Sequence, residues 1–209
     1  MWSGRLIGRW ISSIPNRKRG EVLYTKKIYF SGGDFHELQE VFAHVPGVVS
    51  TCTGYINGDR DTTYADVAAG EVKAYMGVEV TYNPKKMDIS QLLDLLFGVV
   101  NPYVTDGQGK ARGEMYRAGG FYASAEDEPQ VQLHLNFIAN RGKAPVVGNA
   151  GLTVNDPNSN PKLARKLCAI AAPLENFQPA EAEHQDYLAR HPEAETYIDF
   201  DKLRAYVKF

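Results

Sequence analysis

Cysteine is the scarcest reactive residue in this chain. Two thiols in 209 residues, Cys52 and Cys168, cannot build a disulfide framework, and they fit a reducing compartment, so a cytoplasmic location is expected. Long apolar runs are missing too, and none approaches the roughly 20 residues that a membrane-spanning helix needs. Charge of one sign is equally absent. The 23 Lys and Arg against 25 Asp and Glu leave a net charge of −2, with both signs interspersed, which supplies no electrostatic footprint for nucleic acid. His36, His44, His134, His184 and His191 recur at no metal-ligand spacing, so neither a metal nor another cofactor is expected.

What is present suits one domain. An apolar content of 44% over this length can bury a sizeable core, expected over residues 27–193 between an N-terminal extension, 1–26, and a C-terminal tail, 194–209. Within the extension, Trp2, Leu6, Ile7, Trp10 and Ile11 are interrupted by Arg5 and Arg9, unlike the unbroken apolar stretch of a signal peptide. Residues 1–20 therefore read either as a segment packed on the domain or as a weak docking element for a partner or a membrane surface.

Strands and helices alternate along the core. Lys27 to Phe30 is a strand running into Gly32-Gly33, and Leu38, Val41, Phe42 and Val45 then recur at helical spacing until Pro46-Gly47. Val48 to Tyr55 and Val72 to Tyr82 read as strands, the second placing Met76 on its apolar face and Tyr75 on the other. Asp88 opens a helix through Val100, Ala118 to Ala123 is a buried strand, and Asp127 to Asn140 is a helix. Residues 141–160, dense in Gly, Asn and Pro, form a long loop, and Ala164 to Pro173 supplies a return strand. This order fits a two-layer α+β sandwich.

The segment Ser31-Gly32-Gly33-Asp34-Phe35-His36-Glu37 places Asp34 at a helix N-terminus. Asp-x-x-Glu is close to a helix capping box, so Asp34 reads as an N-cap with Glu37 as its return partner. A helix N-terminus also stabilises the carboxylate, which makes Asp34 a base or a counter-charge rather than an acid.

Ordered matches around this segment resemble the peptide-methionine (S)-sulfoxide reductases, the MsrA family, whose own segment reads Gly-Gly-Cys-Phe-Trp-Gly. They continue through Pro46-Gly47-Val48-Val49, Gly54-Tyr55, Thr63-Tyr64-Ala65-Asp66, Val78 to Pro84, Asn101-Pro102, Gln108-Gly109, Tyr116-Arg117 and Phe177 to Leu188. The resemblance spans residues 27–192 and implies a ferredoxin-like MsrA fold, with reduction of free or peptide methionine (S)-sulfoxide as the family activity. It also implies where the site lies. Asp34 holds the position of the nucleophilic cysteine, His36 that of the pocket tryptophan, Met76 that of the proton-donating glutamate and Ala111 that of an aspartate. Phe35, Tyr64 and Tyr116 are retained.

Those exchanges remove the family's chemistry. Sulfoxide reduction needs a soft, low-pKa thiol and an acid beside the departing oxygen, and a carboxylate cannot pass through sulfenic acid to a disulfide. Asp34, His36, Tyr64 and Tyr116 are therefore the candidate catalytic residues, with Phe35, Tyr75 and Met76 lining a ligand pocket. One expectation is a cavity that binds a small methionine-like ligand, a methionine-containing peptide or a methylated cation, since an anion with aromatic walls suits such cations. Another is a non-redox acid–base enzyme using Asp34, His36 and the two tyrosines. A third is a reductase in which Cys52 has become the nucleophile. Cys52 and Cys168 otherwise read as buried structural thiols, and His184, within Glu-x-x-His-Gln, as structural.

Overall fold

The computed structural model describes residues 24–59, 61–139, 166–200 and 203. The extension expected at residues 1–20 and the loop expected at 141–160 lie outside the described residues.

Strand β1 (Lys26–Ser31) is a central strand, with Ile28 and Phe30 buried against the helices and Tyr29 on the opposite face. It leads into helix α1 (Phe35–Ala43), which buries Phe35, Leu38, Val41 and Phe42. Strand β2 (Val48–Ile56) follows, then the short helix α2 (Tyr64–Ala69), strand β3 (Tyr75–Tyr82) and helix α3 (Ile89–Val99). A small ribbon of β4 (Gly107–Gln108) and β5 (Ala111–Arg112) precedes strand β6 (Gly119–Tyr122) and helix α4 (Glu128–Ala139). Strands β7 (Ile170–Pro173) and β8 (Phe177–Pro179) and the helical turn α5 (Tyr187–Arg190) complete the described order.

Strands β7-β6-β1-β3-β2-β8 form one sheet. Its centre, β6-β1-β3-β2, is antiparallel throughout. Read with α1 and α3, it is the βαββαβ arrangement of a ferredoxin-like α+β sandwich. The main core lies between the helices and the sheet face carrying Ile28, Phe30, Tyr55, Met76, Val78 and Val80. Each such side chain contributes about 1.5–3 kcal/mol on burial. A smaller cluster on the other face gathers Tyr29, Ile56 and Phe121 with Tyr75 and Phe177.

The strand expected over Ala164 to Pro173 is observed, among the described residues, only over Ile170–Pro173, and one further boundary differs for a local reason. The strand expected from Val72 begins at Tyr75, because Glu71 and Val72 are still donating to the Asp66 carbonyl at the end of α2. Helix α2 itself is set by a capping box: Thr63 Oγ1 accepts from the Asp66 N–H, and the Asp66 carboxylate accepts from the Thr63 N–H at 3.0 Å. That reciprocal cap fixes Tyr64 as the first residue of the helix.

The return of the chain through β8 is pinned by one side chain. Gln185 Oε1 accepts from the Thr53 N–H at 3.0 Å, and its Nε2 donates to the carbonyls of Thr53 and Ala180 at 3.0 Å each. Gln39, buried on α1, accepts from the Asp186 N–H at 2.7 Å. Both amides bond directly to backbone groups, with the Thr53 carbonyl also accepting from the Ala180 N–H at 2.9 Å, and together they lay residues 181–187 across the start of α1.

Candidate functional site

Gly33 turns the chain out of β1 at φ +79, where a side chain would be strained. Its N–H donates to the Tyr116 carbonyl at 2.8 Å, which brings the Glu114–Tyr116 turn beside the head of α1. Asp34 is the N-cap, with φ −71 and ψ 127, and Oδ1 accepts from the His36 N–H at 2.8 Å. The expected capping box does not close. Glu37 instead accepts from the Tyr197 N–H at 2.7 Å, so its carboxylate is drawn away from the cap.

The same Asp34 oxygen lies 3.0 Å from His36 Nδ1. On the far side of that ring, His36 Nε2 lies 3.0 Å from His184 Nδ1. Asp34, His36 and His184 thus form a hydrogen-bonded chain that begins at a half-exposed carboxylate and runs through an imidazole only 13% exposed. Aromatic packing holds both rings in place. His36 stacks on Tyr187 at 4.4 Å between centroids, and His184 stacks on Tyr64 at 4.5 Å. Phe35 lies against both imidazoles, at 4.7 and 5.6 Å.

A second carboxylate supports the cluster from behind. Glu181 Oε2 accepts from the Tyr55 hydroxyl at 2.6 Å, and Oε1 accepts from the Tyr64 N–H at 2.9 Å. Burial pushes the Glu181 carboxyl up, but those hydrogen bonds and the neighbouring His184 outweigh it and hold the group below the usual carboxylate range. Asp34 behaves in the same way. Burial acts to raise it, while hydrogen bonds and charge from His36, with a smaller effect of His184, bring it below its ordinary value. Burial then raises the phenols of Tyr64 and Tyr116, and the Asp34 charge raises both further. Both phenols remain protonated donors at neutral pH.

The sequence-derived site residues separate into two groups. Asp34, Phe35, His36, Tyr64 and Tyr116 come together, with Met76, 1% exposed, in the core to which Tyr64 and Tyr116 pack. Tyr75 does not join them. Alternation along β3 sends it to the opposite face of the sheet, where it packs on Phe121 at 5.3 Å. Cys52 is also on that face, opposite Glu79, and burial together with the Glu79 charge pushes its thiol up. Cys168 is buried, its N–H donating to the Pro102 carbonyl. Neither thiol reaches the head of α1. Ala111, in β5, offers only a methyl group.

His184 and Glu181, with Tyr187 beside them, complete the site although sequence reasoning left them aside. Their run, Glu181-Ala182-Glu183-His184-Gln185, carries a local signal in its paired carboxylate and imidazole. The partners, Tyr64 and His36, are 117 and 148 positions distant. Among the described residues no group of three or more His, Cys, Asp and Glu is placed to hold a metal ion.

Counting protons shows what the chain of groups can do. Each link needs one hydrogen. With both imidazoles neutral, His36 Nδ1–H donates to Asp34 and His184 Nδ1–H donates to His36 Nε2, which leaves His184 Nε2 as a bare acceptor. Protonation at that atom lets the shared hydrogen shift toward His36, where the carboxylate stabilises the resulting charge.

The sequence and the fold have counterparts among known proteins. Residues 26–208 match the peptide methionine sulfoxide reductase family. MsrA of Mycoplasma pneumoniae is 32% identical over 178 residues, covering 84% of this chain and 99% of that protein. MsrA of Mycolicibacterium paratuberculosis is 34% identical over 173 residues, covering 82% and 88%. Among solved structures, methionine sulfoxide reductase A of Corynebacterium diphtheriae superposes with a TM-score of 0.68 at 23% identity, over 86% of this chain and 81% of that one. A family match across most of the chain, relatives above 30% identity and a shared architecture establish that this chain belongs to the peptide methionine sulfoxide reductase family.

Proposed function

We propose that this protein has exchanged the thiol redox chemistry of its family for acid–base chemistry on a small methionine-like ligand. The observation that carries the reading is the Asp34–His36–His184 hydrogen-bonded chain at the position of the family nucleophile. In this reading Asp34 orients His36, His36 relays a proton, and His184 Nε2 takes a proton from the ligand or returns one to it. Tyr64 and Tyr116, kept protonated by burial and by Asp34, donate to an oxygen of the ligand as negative charge develops there. Phe35, buried against both imidazoles, fixes the planes in which they face the ligand.

The exchanged residues support the same view. Asp34 lacks the polarisable sulfur that attacks a sulfoxide, and Met76 has no proton for the departing oxygen. A reductase assay with dithiothreitol and methionine (S)-sulfoxide tests this half of the reading, with no turnover expected. Calorimetric titration with methionine, its sulfoxide and its carboxyl-amidated form tests the other half. Saturable binding that weakens in Tyr64→Phe and Tyr116→Phe supports it, and turnover of the sulfoxide overturns it.

A second reading is a binding protein for a methylated cation such as a sulfonium. Its support is the Asp34 carboxylate, held anionic and 44% exposed beside Phe35 and two phenols. Preferential binding of S-methylmethionine over methionine, abolished by Asp34→Asn, would favour it.

A further inference from the structure

The C-terminal tail makes a contact that the site itself does not require. Tyr197 donates its backbone N–H to Glu37 Oε1 at 2.7 Å, and its ring lies flat enough on Gly109 that a Cβ there would come within 2.9 Å of Tyr197 Cγ. The phenol then reaches back to the head of α1, where a Cβ on Gly33 would overlap the Tyr197 hydroxyl. Glycine at both positions is what admits the ring. Glu195 pairs with Lys110 at 3.2 Å at the rim, and the next residue after Tyr197, Ile198, is buried.

The contact is imperfectly satisfied. Glu37 is 5% exposed, yet Oε2 has no hydrogen-bond partner, and the Tyr197 hydroxyl, buried against the Asp34 amide, has none either. Unpartnered buried polar atoms make a docked state easier to release. Space is also available, since an open cavity of about 520 Å³ lies between Leu95 and Val99 of α3 and Tyr197, Ile198 and Leu203 of the tail.

We propose that the tail around Tyr197 is a strap, latched by Glu37 onto the head of α1, whose release uncovers the Gly33–Asp34 backbone beside the candidate site. The proposal stands on this contact alone and does not depend on the acid–base reading. Its sensitivity to pH follows from the groups that face Glu37. Burial pushes the Glu37 carboxyl up, to about 7, the hydrogen bond from the Tyr197 N–H acts in the opposite direction, and the Asp34 charge adds to the rise. Released into water, Glu37 returns to its ordinary value of 4.5. The latched state therefore binds the proton more tightly. The latch is fully formed below that ordinary value, and it weakens as pH rises through about 7.

Hydrogen exchange of the full chain, read by mass spectrometry and corrected for the intrinsic rate, tests the strap. Protection of the peptide containing Tyr197 is expected to fall by roughly tenfold to several-hundredfold between about pH 5 and about pH 8, and to become independent of pH in Glu37→Gln. Protection that does not change with pH in the unmodified protein overturns the latch. A second variant, Tyr197→Gly, reads the covering directly and leaves Glu37 in place. Exchange is expected to rise in the peptides containing Tyr197 and Gly33–Asp34 and to stay unchanged in β3. Unaltered exchange at Gly33–Asp34 overturns the strap.

Discussion

His36 Nε2 and His184 Nδ1 meet at 3.0 Å across 148 positions of sequence. The contact exists because β8 returns the chain along β2 and Gln185 then fixes the following segment to Thr53. It gives the candidate site two imidazoles in series behind one carboxylate, an arrangement through which a proton can pass from the outer ring toward Asp34.

Restoring the family cysteine alone should not restore the family reaction. Asp34→Cys places a thiol at the head of α1, but Met76 and Ala111 still provide neither acid nor ordering carboxylate. A dithiothreitol-coupled assay should show no sulfoxide turnover by the variant, as by the parent protein.

Adding the missing acid should be destabilising. Met76 is 1% exposed, and Met76→Glu buries a carboxyl without a built partner, at a cost of about 1–3 kcal/mol. Desolvation raises such a carboxyl, so it stays protonated further above its normal range. The loss in denaturant stability should accordingly be larger at about pH 8 than at about pH 5, because the unfolded chain gains an ionised carboxylate over that interval that the folded core resists.

Asp34 should reveal its two roles separately. Asp34→Ala removes the N-cap and should cost about 1 kcal/mol at neutral pH, whereas Asp34→Asn retains a capping oxygen and should cost less. Because the folded-state value is depressed, the charge contributes stability above the unfolded value of 3.8 and loses it as pH falls through the folded one. Asp34→Asn should therefore flatten the acid limb of the stability curve, measured by chemical denaturation.

Glu181 is predicted to be a scaffold for the site. Glu181→Ala leaves the Tyr55 hydroxyl and the Tyr64 N–H without their acceptor, which should destabilise the fold by about 1–3 kcal/mol. Tyr55→Phe in that background should recover part of the loss, because it removes one orphaned donor.

Periodicity made the sandwich legible. The apolar spacing of α1 and α3 and the strict alternation of β3 locate the core face, and that alternation alone separates Met76 from Tyr75. The head of α1 was legible from Gly33 and Asp34. The relay was not, because His184 acquires its role only through the β8 return, and local spacing carries no information about a partner that far away. Glu37 is a similar case. Its spacing from Asp34 suggested a closed capping box, and a tail residue, Tyr197, captures its carboxylate instead.

Nitrogen NMR of histidine-labelled protein at neutral pH tests the relay most directly, because it reports which ring nitrogens carry hydrogen. The account predicts His36 protonated at Nδ1 and hydrogen-bonded through Nε2 to His184, with the His184 signals shifting in Asp34→Ala although Asp34 bonds only to His36. A His36 ring protonated only at Nε2, or His184 signals unchanged by Asp34→Ala, would contradict it.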